Sequence, residues 1–274
     1  MRALTPYVQD TLSAAIEPLV PVRLDTHPLG RRRRHKSDRE CFEVMLVRLA
    51  TKCSWEGAER LCTGKVSDTT VRTRRDEWVA AGVSDTVMDA ALHGYDKIVG
   101  LDLSDFAVDG SLHTRPCSDE GTGKNPTDRS NLGHTWSILT DKNGIPFGAA
   151  MDSANRNEPV LLAPTLDDAA NYASREEIET LWLNRGDDSE ATRQRLIEPE
   201  IADAVIAKKR KHGTAHNTKH SQLMKLRWPV ERTNSWLSTL GRLRRNTDRR
   251  TAYRLAQFAL PVALPLTTNR SDWQ

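Results

Sequence analysis

Long apolar runs are missing from this 274-residue chain. No stretch of 18 or more apolar residues occurs, so no membrane-spanning helix is expected. The opening residues, Met-Arg-Ala-Leu-Thr-Pro, lack the apolar core of a signal peptide, which points to the cytoplasm. Cysteine is scarce: Cys41, Cys53, Cys62 and Cys117 show no Cys-x-x-Cys spacing, so neither a zinc site nor a disulfide framework is indicated. Buried thiols are the expectation. With 38% apolar and 28% charged residues, the composition suits a soluble globular protein of one large domain, or one medium domain with a small appendage.

Acidic residues are nearly absent from one end. Residues 205–274 carry 15 Lys/Arg against 3 Asp/Glu, whereas residues 101–204 carry 9 against 20 and residues 1–100 carry 16 against 14. The modest net charge of +3 conceals this asymmetry. An acidic centre beside a strongly basic tail suits a metal site set next to a phosphate-binding surface, with two solvated charged faces as the plainer alternative.

The first hundred residues read as helices. An amphipathic segment at 6–20 carries Val8, Leu12, Ile16 and Leu19 near a 3.6-residue period. Pro18, Pro21 and Pro28 then lead into Gly30-Arg31-Arg32-Arg33-Arg34-His35-Lys36, a basic arm able to contact backbone phosphates or enter a minor groove. Ser37 or Asp38 opens a helix to Thr51, Ser54 caps a short helix to Cys62, and Ser67-Asp68 opens a third to Ala80, ended by Gly82. The third bears Thr70, Arg72, Thr73, Arg74 and Arg75, which makes a helix-turn-helix pattern; the alternative is a three-helix packing module. A further helix spans 84–98.

Strands follow. Leu101–Gly110 holds the apolar run Phe106-Ala107-Val108 leading into Asp109. Thr135–Leu139 and Ile145–Met151 form a hairpin about Asp141-Lys142-Asn143-Gly144, Asn-Gly being a strong turn signal. A helix over 157–172, a strand over 179–183, a helix from Ser189 to Ile197 and a strand over 203–207 come next. An exposed basic loop (208–222) leads to a long helix from Trp228-Pro229, with Pro suited to its first turn.

Asp109 ends an apolar strand before Gly110, which permits close backbone approach, and so is placed to leave the core and bind a cation. Glu231 lies in the first turn of the 228 helix, with Arg227 one turn before it. Magnesium needs oxygen ligands and keeps several waters, so two or three carboxylates with phosphate oxygens complete a site, and two such ions can drive phosphoryl transfer. Taken singly, Asp109 and Glu231 are ordinary surface or capping acids. His113 and His134 lie near the first strands and either line the site or are structural. Trp228 and Trp236 read first as core, with base stacking the other role.

Five blocks give these residues a context: Val108-Asp109-Gly110-Ser111, Asp141 to Pro146, Asn155-Arg156-Asn157-Glu158, Asp188 to Arg193, and Arg227 to Leu237. In content and order, residues 30 to 262 resemble an Asp-Asp-Glu transposase of the insertion-sequence 5 group, in its actinobacterial form. The resemblance implies a ribonuclease-H-like α/β core with a mixed sheet and flanking helices, preceded by an all-helical helix-turn-helix region. Residues 1–100 would be the DNA-binding region with its basic arm, 101–262 the catalytic core and 263–274 a C-terminal tail. It implies double-stranded DNA as partner, a homodimer, and Mg²⁺- or Mn²⁺-dependent cleavage and strand transfer at terminal inverted repeats. Asp109 matches the first catalytic acid and Glu231 the third. Arg227 and Arg232, with Arg31, Arg32, Arg33, Arg34, Arg72, Arg74, Arg75, Lys208 and Lys209, make the expected DNA contacts.

Family members usually have Asp-Arg-Gly-Tyr-Asp-Ser in the middle block; this chain has Asn184-Arg185-Gly186-Asp187-Asp188-Ser189. Asn184 thus stands at the second catalytic acid. It offers a neutral oxygen and removes one negative charge from a site built for two dications. Asp187, three residues on, would restore the total charge as a third metal ligand beside Asp109 and Glu231. Met224 and Ser238 stand where the family pattern has Tyr and Lys. Three readings follow: an active or impaired transposase, an inactive descendant that binds DNA, or the old fold recruited to other chemistry.

Overall fold

A computed structural model of the chain describes residues 5–22, 36–115, 118–126, 128–156, 158–172, 178–184, 189–197, 203–206 and 227–267. Of the expected site residues, Arg31, Arg32, Arg33, Arg34, Asp187, Lys208 and Lys209 lie outside this set, as does Cys117. The chain divides into two compact units. One contains the helices up to Ile98 together with Leu240–Leu243 and the chain from Thr251; the other runs from Val99 to Thr239 and includes Arg244–Arg250.

The first unit is all helical: α1 (Pro6–Ile16), α2 (Asp38–Thr51), α3 (Trp55–Leu61), α4 (Asp68–Ala80) and α5 (Val83–Val99). A single 3₁₀ turn, Glu17–Leu19, follows α1 where Pro18 prevents an α-helical continuation. Three serines start helices as expected. Ser37 makes a full capping box with Glu40, and Ser54 and Ser67 accept from the backbone of Gly57 and Thr70. Leu12 and Ile16 of α1 pack with Phe42, Leu46, Trp78, Val83 and Val87 in one apolar cluster, and Cys41, Val44, Ala58, Cys62 and Val71 form a second. Cys41 and Cys62 are buried free thiols, and burial pushes the Cys62 thiol up to about 11.

The second unit is a mixed sheet with flanking helices. Its strands are β1 (Asp105–Thr114), β2 (Gly123–Lys124), β3 (Leu132–Asp141), β4 (Pro146–Ser153), β5 (Thr180–Leu183) and β6 (Asp203–Ile206). β1 lies at the centre, antiparallel to β3 and parallel to β5; β4 pairs antiparallel with β3, and β6 parallel with β5. The five main strands therefore run β4-β3-β1-β5-β6, three antiparallel in sequence and then two added in parallel, which is the ribonuclease-H-like arrangement. Phe106 and Phe147 meet edge-on at 5.1 Å in its core. The helices are α6 (Leu162–Ala169), α7 (Glu190–Ile197) and α8 (Trp228–Thr239), with α6 packed on β3 and β4 and α8 on β1 and β3.

Several boundaries differ from expectation. The first strand begins at Asp105 and continues to Thr114, because pairing with β3 carries it past Gly110. The 157–172 helix divides into a 3₁₀ turn, Glu158–Val160, and the shorter α6, with Pro159 and Pro164 each near the start of its segment. After α9 (Gly241–Arg244), the helix α10 (Thr251–Thr267) runs where only a tail was expected beyond 262. Pro261 and Pro265 disguise its pattern, yet Phe258, Ala259, Val262 and Ala263 are buried. No helix of the described residues is long and apolar enough to cross a membrane.

Candidate functional site

Strand register brings the first two site residues together. β1 and β5 pair in parallel as Asp105↔Thr180, Phe106↔Leu181 and Ala107↔Trp182. Continued by two residues, the same register sets Asp109 opposite Asn184, just past the carboxyl end of β5. Because β5 stops at Leu183, β1 loses its neighbour on that side and the two side chains emerge at an open strand mouth, where ligand crevices of open α/β sheets occur.

The third comes from α8. Arg227, directly before this helix, is only 4% exposed. Its Nη2 donates to Asp109 Oδ1 at 2.6 Å and its Nη1 to Asn184 Oδ1 at 3.2 Å. The same Nη1 lies 3.9 Å from Glu231 Oε1, one helical turn on. One guanidinium thus touches Asp109, Asn184 and Glu231. Glu231 is about half exposed, and its place in the first turn of α8 suits the positive end of the helix dipole.

Asn234 completes the cluster. It is buried, and its Nδ2 donates to Asp109 Oδ2 at 3.1 Å, so each oxygen of Asp109 has a donor. The Asn234 Oδ1 is buried without a hydrogen-bond partner among the described residues. The sequence reading missed this residue. Its signal was the i,i+3 spacing from Glu231, which sets both on one helix face. Burial pushes the Asp109 carboxyl up, against the opposing pull of Arg227 and of the Asn234 and Arg227 hydrogen bonds.

The hairpin between β3 and β4 fixes the angle of α8. Asp141 is fully buried and caps the turn, accepting from the backbone of Asn143 (2.9 Å) and Ile145 (2.7 Å). Gly144, at φ +80°, is the left-handed residue that the Asn-Gly signal anticipates. Thr233 donates to the Gly144 carbonyl at 2.7 Å and Arg232 to that of Asn143 at 2.8 Å. Lys142 pairs with Asp102 ahead of β1, and this hydrogen bond, with that from Ser104, holds the Asp102 carboxyl down at about 2.

Other expected site residues fall elsewhere. His113 and His134, cross-strand partners, are buried and stacked 5.5 Å apart; they lie four residues along β1 from Asp109, roughly 13 Å away, and do not line the cluster. Trp228 is not core: it is 56% exposed, with Arg232 stacked 4.8 Å above its ring. Trp236 is partly buried. Arg74, expected on a DNA-reading face, is 2% exposed and ion-paired to Asp38, so its guanidinium joins α4 to α2 and has none to offer a phosphate. Arg75 is largely covered, its guanidinium 3.9 Å above the Tyr253 ring. Arg72 is exposed and paired with Asp68 on its own helix. Arg227, also expected on DNA, is committed instead to the acidic cluster.

The oxygens of Asp109, Asn184, Glu231 and Asn234 are hard donors of the kind magnesium or manganese takes, and the unpartnered Asn234 Oδ1 beside the Asp109 carboxylate suits one cation or its water. Two carboxylates and one guanidinium leave a net charge of about −1, too little for two dications. Among the described residues no group of three His, Cys, Asp or Glu forms a ready metal cage.

Residues 8–88 match a family model described as "Putative transposase of IS4/5 family". The chain is 33% identical over 170 residues to the "Putative transposase for insertion sequence element IS402" of Burkholderia cepacia, an alignment covering 60% of this chain and 75% of that protein. Among solved structures it is similar to the Mos1 mariner paired-end complex with Mn (8% identity, 79% of this chain and 81% of that one, TM-score 0.27). It is also similar to a pre-cleavage Mos1 transpososome (10% identity, 98% and 99%, TM-score 0.28), and likeness at this level carries no mechanistic weight.

Proposed function

We propose, from the premise that this chain belongs to the IS4/5 family of insertion-sequence transposases, that it cuts and joins double-stranded DNA at the terminal inverted repeats of its element. One observation carries the reading: Asp109, Asn184 and Glu231, distant in sequence, converge on a single guanidinium at an open strand mouth. In chain order they take the places of the Asp-Asp-Glu acids in the actinobacterial form of the insertion-sequence 5 group, with Asn184 for the second.

In this reading Asp109 and Glu231 would hold one divalent cation, Mg²⁺ or Mn²⁺, with the amide oxygens of Asn184 and Asn234 as neutral partners and Asp187 as a further candidate. When bound, the metal supplies charge stabilisation at the phosphoryl group. The chain's own residues supply placement. Asn234 holds the Asp109 carboxylate in one orientation, and the hairpin at Gly144 holds the helix bearing Glu231. In cleavage a water oxygen attacks phosphorus and the bond to the 3′ oxygen breaks, which leaves a 3′-hydroxyl. In transfer that hydroxyl attacks the phosphorus of a target phosphodiester, and the bond to the target's own 3′ oxygen breaks, so that oxygen leaves as a 3′-hydroxyl. The exposed Arg72 and Arg232, with the basic segments at 31–34 and 208–209, would hold the backbone by counter-ion release, and the helical region would bind as a helix-turn-helix within a homodimer.

A second reading rests on Asn184 itself. With one carboxylate missing and Arg227 neutralising another, the chain binds DNA without cutting it, as a repressor of related elements or a protein recruited to other work. Cleavage of a labelled inverted-repeat duplex in Mn²⁺, with wild type, Asn184→Asp and Asp109→Asn, decides between them. The transposase reading expects Asn184→Asp to raise cleavage by roughly 100-fold and Asp109→Asn to abolish it. DNA binding by all three with cleavage by none establishes the second reading.

A further inference from the structure

The acidic cluster already contains a cation. The Arg227 guanidinium is 4% exposed, with Nη2 on Asp109 Oδ1 and Nη1 on Asn184 Oδ1, the same Nη1 lying 3.9 Å from Glu231 Oε1. A divalent ion ligated by these same three residues would need the same oxygens. A guanidinium and a dication at one carboxylate oxygen repel strongly in a site shielded from water. Both do not fit at once.

We infer that Arg227 is the resident cation of this site and sets its metal affinity by competition: the guanidinium and a divalent metal are alternative occupants of the space between Asp109, Asn184 and Glu231. Three observations support this. The guanidinium uses its planar fork to bridge Asp109 of β1 and Asn184 just past the end of β5, a geometry a positioning role for Asp109 alone would not require. Its Nε is buried without a hydrogen-bond partner among the described residues, so exchange of the guanidinium for a metal would break no hydrogen bond at that nitrogen. Asn234 holds Asp109 Oδ2 independently, so the carboxylate keeps its orientation when Oδ1 changes partner.

The position of Asn184 follows from the same logic. An Asp there would bring a third carboxylate to the guanidinium and tip the site toward a dication. The amide leaves the balance nearer to Arg227. The inference rests on the transposase reading for the metal's identity, and its test is separable from that reading.

Mn²⁺ binding is measured by calorimetry on the full chain for wild type, Arg227→Gln, Arg227→Lys and Asn184→Asp, with inverted-repeat cleavage run in parallel. Competition predicts that Arg227→Gln tightens Mn²⁺ binding by at least about tenfold. Arg227→Lys keeps a buried positive charge and guards against misfolding. It lacks the fork that bridges Asp109 and Asn184, so it should tighten binding by a smaller factor. Unchanged or weaker Mn²⁺ binding in both Arg227 variants overturns the inference, whether or not wild type binds metal. Tighter binding in the Arg227 variants, with no DNA cut by Asn184→Asp, upholds the inference and sinks the transposase reading. The reverse pattern, cleavage by Asn184→Asp with no gain from Arg227→Gln, does the opposite.

Discussion

The hydroxyl of Thr233, two residues after Glu231 on α8, donates to the carbonyl of Gly144 at the tip of the β3–β4 hairpin, 2.7 Å away. A β-turn and the helix bearing Glu231, almost ninety residues apart in sequence, are thereby fixed to each other. The Asp-Lys-Asn-Gly block thus has a role beyond turning the chain. A Cβ at Gly144 would lie 2.9 Å from Thr233 Oγ1 and 3.1 Å from the Pro229 carbonyl, in a left-handed conformation that side chains rarely adopt. Gly144→Ala should therefore cost about 1–3 kcal/mol of stability in urea unfolding and displace α8. Thr233→Val keeps the shape and loses the bond, and should cost about 1 kcal/mol. Equal stability in wild type and Gly144→Ala would mean that the hairpin does not hold the helix.

Asp109, partly buried, pairs with the buried Arg227, and removal of either member leaves the other unmatched in a largely covered site. Asp109→Ala should destabilise the sheet unit by about 3–5 kcal/mol, and the double variant Asp109→Ala with Arg227→Met by much less than the sum of the two single changes. Additive losses in a double-mutant cycle would show that the pair is not coupled.

Asn234→Leu fills nearly the same volume and removes the donor to Asp109 Oδ2. The expected outcome is a loss of about 1–3 kcal/mol together with weaker Mn²⁺ binding in the Asn184→Asp background. Asn234→Gln, which keeps an amide on a longer stem, should recover part of the metal affinity. A stability loss with unaltered metal affinity would assign Asn234 to packing alone.

His113 supplies a pH dependence. Burial, with the nearby positive charge of Arg244, lowers its imidazole to about 4, and it stacks on the buried His134 ring. The unfolded chain takes up this proton near pH 6.5, whereas the folded chain refuses it until about pH 4. Its contribution is therefore intact above pH 6.5 and is lost as pH falls through that window, by up to about 3 kcal/mol. Unfolding midpoints measured between pH 7 and pH 4.5 should fall less steeply for His113→Phe than for wild type.

The neighbouring arginines of α4 separate structure from DNA contact. Arg74→Ala should lower the melting temperature of the helical unit, because Asp38 and the Lys36 carbonyl lose their buried partner. Arg72→Ala, at an exposed ion pair, should change stability by less than about 1 kcal/mol and flatten the salt dependence of DNA binding. Identical salt slopes for wild type and Arg72→Ala would remove α4 from the DNA interface.

The sequence by itself determined the local events. Each of the three helix starts at Ser37, Ser54 and Ser67 depends on a side chain reaching its own backbone three residues on, and the Asn-Gly hairpin depends on backbone conformations open to those residues. The ordered motifs around Asp109, Asn184 and Glu231 singled these residues out in the sequence as candidates. Their contacts were not legible there, because these depend on the parallel register of β1 with β5 and on where β5 ends, neither of which a single strand encodes. Tertiary structure alone decided that Arg227 belongs to the carboxylates, that Asn234 joins them, that Arg74 is enclosed and that Trp228 is exposed. Periodicity says which residues share a helix face. Only packing says whether that face meets a protein neighbour or water, and burial then sets whether a charge is a structural partner or a surface for a ligand.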